Sequence, residues 1–226
     1  MVKVQMKTLV LDGMEVIYSV GDDVAELLCP FVAERGGLRD ADRVSALYQA
    51  ASLGRLSSRE FWRAVSVDPG LEEEYLALHR LNGGMLNLLQ AAHVDGYPIW
   101  CLSNDVSEWS HKLRERFKLT ELIRGFLISG DVGIRKPGRA IFEHMLERTG
   151  KTPSEIIFVD DNATNLDAAA TLGIQTIWFT RKYQCGGNQH FAVRDCDERH
   201  DSRALRGWLT KRAGGKVAQG SSARRV

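Results

Sequence analysis

The chain has 226 residues, 44% of them apolar and 26% charged, and its 30 Lys and Arg against 29 Asp and Glu leave a net charge of +1. That length can bury about 70% of its unfolded surface in a core, and the composition is that of a globular chain, not a disordered one. The charge balance argues against a nucleic-acid partner, which would need a basic face. No apolar run reaches the ~18 residues of a membrane span, so no membrane association is expected. The first residues, MVKVQMKTLVLDG, lack the long apolar stretch of a secretion signal. The four cysteines, Cys29, Cys101, Cys185 and Cys196, are scattered, which fits free thiols and a cytoplasmic protein.

Thr8 to Leu11 is a short β-prone run closed by Asp12-Gly13, as in a buried parallel strand. Residues 17–82 carry helical spacing with no strand signal. Val24, Leu27, Leu28, Phe31 and Val32 fit one face, with Pro30 expected to split that helix. Val44, Leu47, Tyr48 and Ala51 fit a second, and Ser57 to Glu60 reads as a capping box opening a third. Leu71 to Leu81 reads as a fourth. Met85, Leu88, Leu89 and Ala92 open the next helix, before a strand at Pro98 to Leu102 that ends in Ser103-Asn104-Asp105. A weaker strand, Gly125 to Ile128, ends in Ser129-Gly130-Asp131. A helix through Ile141, Phe142, Met145 and Leu146 leads to the strand Ile156 to Val159, which ends in Asp160-Asp161-Asn162. An alanine-rich helix, Asn165 to Leu172, stops at Gly173 before a strand at Gln175 to Phe179. Gln184 to Asn188 is a Gly-rich loop, Phe191 to Arg194 a last strand and Asp201 to Lys211 a helix.

Alternating strands and helices predict an α/β fold with a doubly wound parallel sheet, and residues 17–82 a small all-helical cap inserted after the first strand. The expected division is 1–16 with 83–212 as core, 17–82 as cap and 213–226 as a disordered tail. Ligands of such sheets bind beyond the carboxyl ends of the strands. Asp12, Ser103, Lys136, Asp160 and Asp161 all follow strands or stand in the loops after them. A carboxylate attacks phosphorus when a cation and a lysine screen the charge. Three clustered carboxylates need a hard cation to offset their repulsion, and oxygen ligands suit magnesium.

The segments LVLDGMEV, CLSND, SGDVGIRKPGRAIF and FVDDNATNLDAAATLGI, in this order, resemble the four motifs of the haloacid dehalogenase-like hydrolases. The resemblance runs from about residue 7 to 180 and implies a Rossmann-like core with a cap. It implies Asp12 as the nucleophile that forms an aspartyl-phosphate. It implies Ser103, Asn104 and Lys136 on the substrate phosphate, with Lys136 stabilising charge. Asp12, the backbone carbonyl of Met14, Asp160 and Asp161 would hold Mg2+. The implied substrate is a small phosphorylated metabolite.

One position departs from the pattern. Phosphatases of this family usually carry a second aspartate, as general acid, where this chain has Met14, and a glycine where it has Glu15. General acid–base help is worth about 10²–10⁴ in rate. Its loss points to an acyl phosphate, a replacement acid such as Glu15, or a weakly active relative that binds a phosphorylated ligand or a protein. Haloacid dehalogenases also lack that aspartate and attack carbon without a metal, but they lack the Asp160-Asp161 pair. A Schiff-base mechanism is excluded because residues 17–82 contain no lysine. Cys185, His190, Cys196 and His200 match zinc ligands by type but not by spacing, and read as loop residues. Arg55, Arg59 and Arg63 read as a solvated helix face. Tyr18, Tyr48, Trp62 and Tyr75 read as core, with one of them free to meet a substrate.

Overall fold

The structure is a computed structural model that describes residues 6–182, 190–195 and 198–200. Seven strands form one sheet in the order β3-β2-β1-β4-β5-β6-β7. They are β1 (Thr8–Leu11), β2 (Ile99–Ser103), β3 (Gly125–Ile128), β4 (Ile156–Asp160), β5 (Gln175–Lys182), β6 (His190–Asp195) and β7 (Glu198–His200). The first five are parallel, with Val10 opposite both Trp100 and Phe158. The last two add antiparallel, so the sheet is parallel in its core and mixed at one edge.

Alternation along the strands divides the core. Leu9 and Leu11 face one layer, which continues into the helical insert. Val10, Leu102 and Phe158 face the other, with Ile141, Phe142, Met145 and Leu166. Chain order reverses at β1, between β2 and β4, and that switch point is where the strand ends splay to leave a crevice.

The insert begins with a helical turn, Val24–Leu28, and α1 (Cys29–Glu34). The split falls just before Pro30, whose ring cannot continue a regular ladder. Next come α2 (Ala41–Ala51), α3 (Ser58–Ala64) and α4 (Glu72–Leu76). The capping box at Ser57 and Glu60 is present. The fourth helix is shorter than its pattern: it ends at Leu76, and Leu81 instead bridges to Tyr18. There the segments that enter and leave the insert run side by side, held by Ser19 N–H to Arg80 O and Asn82 N–H to Ile17 O.

The remaining helices are α5 (Met85–Val94), α6 (Ser107–Arg116), α7 (Ser129–Val132), α8 (Arg139–Thr149) and α9 (Ala163–Ala170). Helix α6 is invisible to apolar periodicity, because only Trp109 and Leu113 form its stripe among charged neighbours. Ser129-Gly130-Asp131 forms the helical turn α7 and not an open loop.

The insert is fastened to the core along two flanks and, between them, by the Tyr48 hydroxyl donating to Asn104 O at 3.1 Å. On one flank, Phe61, Trp62 and Tyr75 pack around Trp109 of α6 with ring centroids 5.0–5.4 Å apart. The Glu72 carboxylate lies in that cluster. It accepts from the Trp62 and Trp109 indoles at 2.9 Å and from the Lys112 ammonium at 2.6 Å. On the other flank, the Ser129 hydroxyl donates to Ser52 O, and Gly54 lies so close that an added Cβ would stand 2.5 Å from Gly130 O.

Cys29 and Cys101 are free thiols. Cys101 is buried and serves packing. Cys185, Cys196, the helix expected at Asp201 to Lys211 and the tail lie outside the described residues, as do the side chains of His190 and His200. Among the described residues, no helix is long and apolar enough to cross a membrane.

Candidate active site

The sequence-predicted residues converge at the carboxyl ends of β1, β2 and β4. Asp12 follows β1, Ser103 ends β2 and Asp160 ends β4. Lys136 reaches in from the loop between α7 and α8. Its ammonium lies 2.7 Å from Asp12 Oδ1 and 2.7 Å from Asp160 Oδ2. It is 3% exposed, so it is not a solvated loop lysine. Burial by itself would depress its pKa, but Asp12 and Asp160 overcome that and raise it. The lysine therefore stays charged across the physiological range.

Three carboxylates, those of Asp12, Asp160 and Asp161, place oxygens within 4.8 Å of one another. One lysine does not balance them. Burial, then the charge of Asp160, pushes the Asp12 carboxyl well above its usual range. Asp161 is pushed up to about 6, by burial and then by Asp160. An all-oxygen cluster in which Asp12 and Asp161 resist ionisation is a donor set for a hard divalent cation. The residues fit magnesium on that ground.

The members of the pair differ. Asp160 is fully buried, and both of its oxygens accept hydrogen bonds. Oδ1 takes the Asn162 N–H at 2.8 Å, Oδ2 takes Lys136, and the Asn165 amide reaches both at 3.1 Å. Asp161 is the more open carboxylate, with its carbonyl held by the Trp178 indole at 2.8 Å. Neither is a helix cap, since Asn162 performs that task for α9 by accepting from Thr164 N–H.

Asn104 lines the cavity, and its side chain is hydrogen-bonded to the backbone of Lys136. Its side-chain amide donates to Lys136 O at 2.9 Å, and its oxygen accepts the Lys136 N–H at 2.9 Å. Both ends of the amide thus clasp the Lys136 backbone. Ser103 is 3% exposed, and its hydroxyl packs so near Gly13 that a Cβ there would stand 2.5 Å from Oγ. The glycine makes room for that hydroxyl beside Asp12.

Beyond Asp12 the chain makes one wide turn, closed by Tyr18 N–H to Gly13 O. Met14 is extended within it, and Glu15 adopts φ 57°, a region glycine enters freely and glutamate does not. The Glu15 carboxylate approaches Gly21 and adds to the negative field at Asp161.

These residues border a cavity of about 450 Å³. Asp12, Met14, Ser103, Asn104, Lys136 and Asp161 line it from the core. The insert contributes Asp22, Asp23, Val24 and Tyr48. Of the four aromatic residues considered from sequence, Tyr48 is the one at the cavity. Arg55, Arg59 and Arg63 are exposed and do not border it. Asp23, Arg135 and Asn165 were not legible as site residues. Asn165 lies in the first turn of α9, from which its amide reaches both oxygens of Asp160.

Residues 7–173 match the family model described as haloacid dehalogenase-like hydrolase. The chain is 26% identical over 190 residues to D-ribitol-5-phosphate phosphatase of Bacteroides thetaiotaomicron, covering 76% of this chain and 90% of that protein. It is 26% identical over 161 residues to the sesquiterpene phosphatase astK of Aspergillus oryzae, with 67% and 82% covered. A solved HAD family enzyme of Bacteroides thetaiotaomicron, in complex with magnesium and inorganic phosphate, superposes with a TM-score of 0.66 at 20% identity, covering 81% of this chain and 96% of that one.

Proposed function

We propose that this chain works as a magnesium-dependent phosphatase on a small phosphorylated metabolite, from the premise that it belongs to the haloacid dehalogenase-like hydrolases. The observation that carries the reading is the buried Asp12–Lys136–Asp160 bridge beside Asp161, at the floor of a cavity between core and insert. Asp12, the Met14 carbonyl, Asp160 and Asp161 are the residues that would hold Mg2+. When bound, the cation supplies positive charge to the carboxylate cluster and to the phosphoryl oxygens.

Asp12 attacks phosphorus through the oxygen not held by Lys136. Lys136 stabilises the charge that grows on the transferring group, and the Ser103 hydroxyl donates to one of its oxygens. Asp160, its oxygens already engaged, holds Lys136 in place. Asn104 fixes the same lysine through its backbone, and so acts on the phosphate through Lys136. Water then hydrolyses the aspartyl-phosphate. The insert covers the site and keeps bulk water from competing before that step.

Relatives named as phosphatases of a polyol phosphate and of a sesquiterpene share this family, which supports phosphate esters as the substrate class. The test is phosphate release from a panel of alkyl and acyl phosphates with Mg2+ and with EDTA. Turnover is expected with Mg2+ only, and Asp12→Asn is expected to lower it at least ~10³-fold. Activity that persists in EDTA, or that survives Asp12→Asn, would overturn the proposal.

A further inference from the structure

An alkoxide leaves phosphorus slowly unless it takes a proton, and Met14 has none to give. The cavity contains one buried carboxyl with no other assignment. Asp23 is 6% exposed and borders the same cavity as Asp12 and Lys136. Its Oδ2 has no hydrogen-bond partner. It precedes a helical turn, yet its side chain makes no capping bond, so the ordinary structural task of an aspartate there is not being performed. The other acids are occupied or displaced. Asp160 is engaged by Lys136, Asn162 and Asn165, both Asp160 and Asp161 belong to the cation cluster, and the Asp22 carboxylate accepts from Ala25 N–H. Glu15 does not border the cavity.

We propose that Asp23, supplied by the insert, is the general acid and base of this active site. This rests on the phosphatase reading above. As Asp12 bonds to phosphorus and the ester P–O bond breaks, the Asp23 carboxyl proton passes to the leaving oxygen and an alcohol departs. The Asp23 carboxylate then takes a proton from water as that water bonds to phosphorus. The bond from phosphorus to Asp12 breaks, inorganic phosphate leaves and Asp23 is again protonated.

The surroundings suit that cycle. Burial, then the charge of Asp22, pushes the Asp23 carboxyl up to about 7, near the optimum for an acid that must also be a base. The groups that face it are Asp22 on its own segment, Tyr48 of α2, Tyr75 of α4 and Asp105 after β2, with Arg135 beside Tyr48. The carboxylates among them oppose its ionisation. The backbone N–H groups of Val24 and Asp23, and after them the Tyr48 hydroxyl, favour it. The Tyr48 hydroxyl donates to Asn104 O at 3.1 Å while Asp23 is protonated, and the same proton can turn to the Asp23 carboxylate once that has given up its own.

The experiment compares Asp23→Asn with the wild type on an alkyl phosphate and on p-nitrophenyl phosphate, both with Mg2+, from pH 5 to 9. Nitrophenolate leaves without a proton. The variant is expected to lose about 10²–10⁴ of kcat/KM on the alkyl ester while keeping kcat/KM on the aryl ester, whose kcat alone falls because the shared hydrolysis of the aspartyl-phosphate loses its base. The alkyl profile should lose its basic limb near pH 7. Asp23→Glu should recover part of the alkyl activity. Turnover of the aryl ester also shows that the variant is folded. Equal losses of kcat/KM on both esters, or an unchanged alkyl-to-aryl ratio of kcat/KM, would overturn the inference and leave the phosphatase reading standing. No turnover of either ester by the wild type would overturn both.

Discussion

Glu72 and Asp23 are two carboxylates of the same helical insert, 7% and 6% exposed, in opposite circumstances. Glu72 lies in the seam between insert and core, where two indoles and an ammonium donate to it. Burial alone would raise its pKa, but the hydrogen bonds from Lys112, Trp109 and Trp62 outweigh it and the carboxyl is lowered. Asp23 lies at the cavity with an unpartnered oxygen, and its carboxyl is raised. Equal burial therefore gives opposite chemistry. A satisfied carboxylate is a structural bolt, whereas an unsatisfied one is held ready to take and give a proton.

The comparison predicts where stability resides. Glu72→Ala would strand two buried indole N–H groups and take from Lys112 one of its two carboxylate partners, leaving it Glu73. We expect a loss of about 3 kcal/mol, seen as a Tm lowered by about 10 °C. The sign with pH follows from the lowered carboxyl. Its contribution is fully present above the ordinary glutamate range, and it fades as pH falls through the lower folded value. The gap between wild type and variant should therefore narrow in acid. A gap that widens in acid would show that Glu72 is not the bolt.

The second flank offers a smaller test. Gly54 sits at φ +68° with Gly130 O where its Cβ would be. Gly54→Ala adds both a left-handed strain and a backbone clash, and should cost about 2 kcal/mol in chemical denaturation. A neutral result would mean that this flank is not tightly docked. The smallest effect belongs to the cavity side. Glu15 holds a positive φ where a glycine would rest without strain, so Glu15→Gly should stabilise by about 1 kcal/mol. Destabilisation would show that its carboxylate contributes more than its backbone costs.

The reach of the sequence can be judged residue by residue. Asp12, Ser103 and Asp160 were legible because each ends an apolar β-prone run, and a parallel sheet gathers such ends at one edge. The capping box at Ser57 and the split before Pro30 were legible because both are local backbone chemistry. Helix α6 was not, because two apolar residues suffice to dock it once Trp109 finds the insert's aromatic cluster. The fourth helix of the insert was read too long, because Leu81 satisfies its apolar character by pairing with the Tyr18 segment instead of by continuing the helix.

What the sequence determined by itself was the family and the identity of the residues after the strands. Those depend on which residue follows which, and spacing along a chain encodes that directly. Tertiary structure decided how those residues divide the labour. Asn104 became a clasp on Lys136, Asp160 a saturated anchor and Asp161 an open carboxylate. Asp23, 78 residues before the next motif begins at Cys101, joined the cavity. The reason is that a carboxyl's behaviour depends on how many donors reach it and how much water is left around it. Both are set by the packing of distant segments, and neither is written in the local sequence.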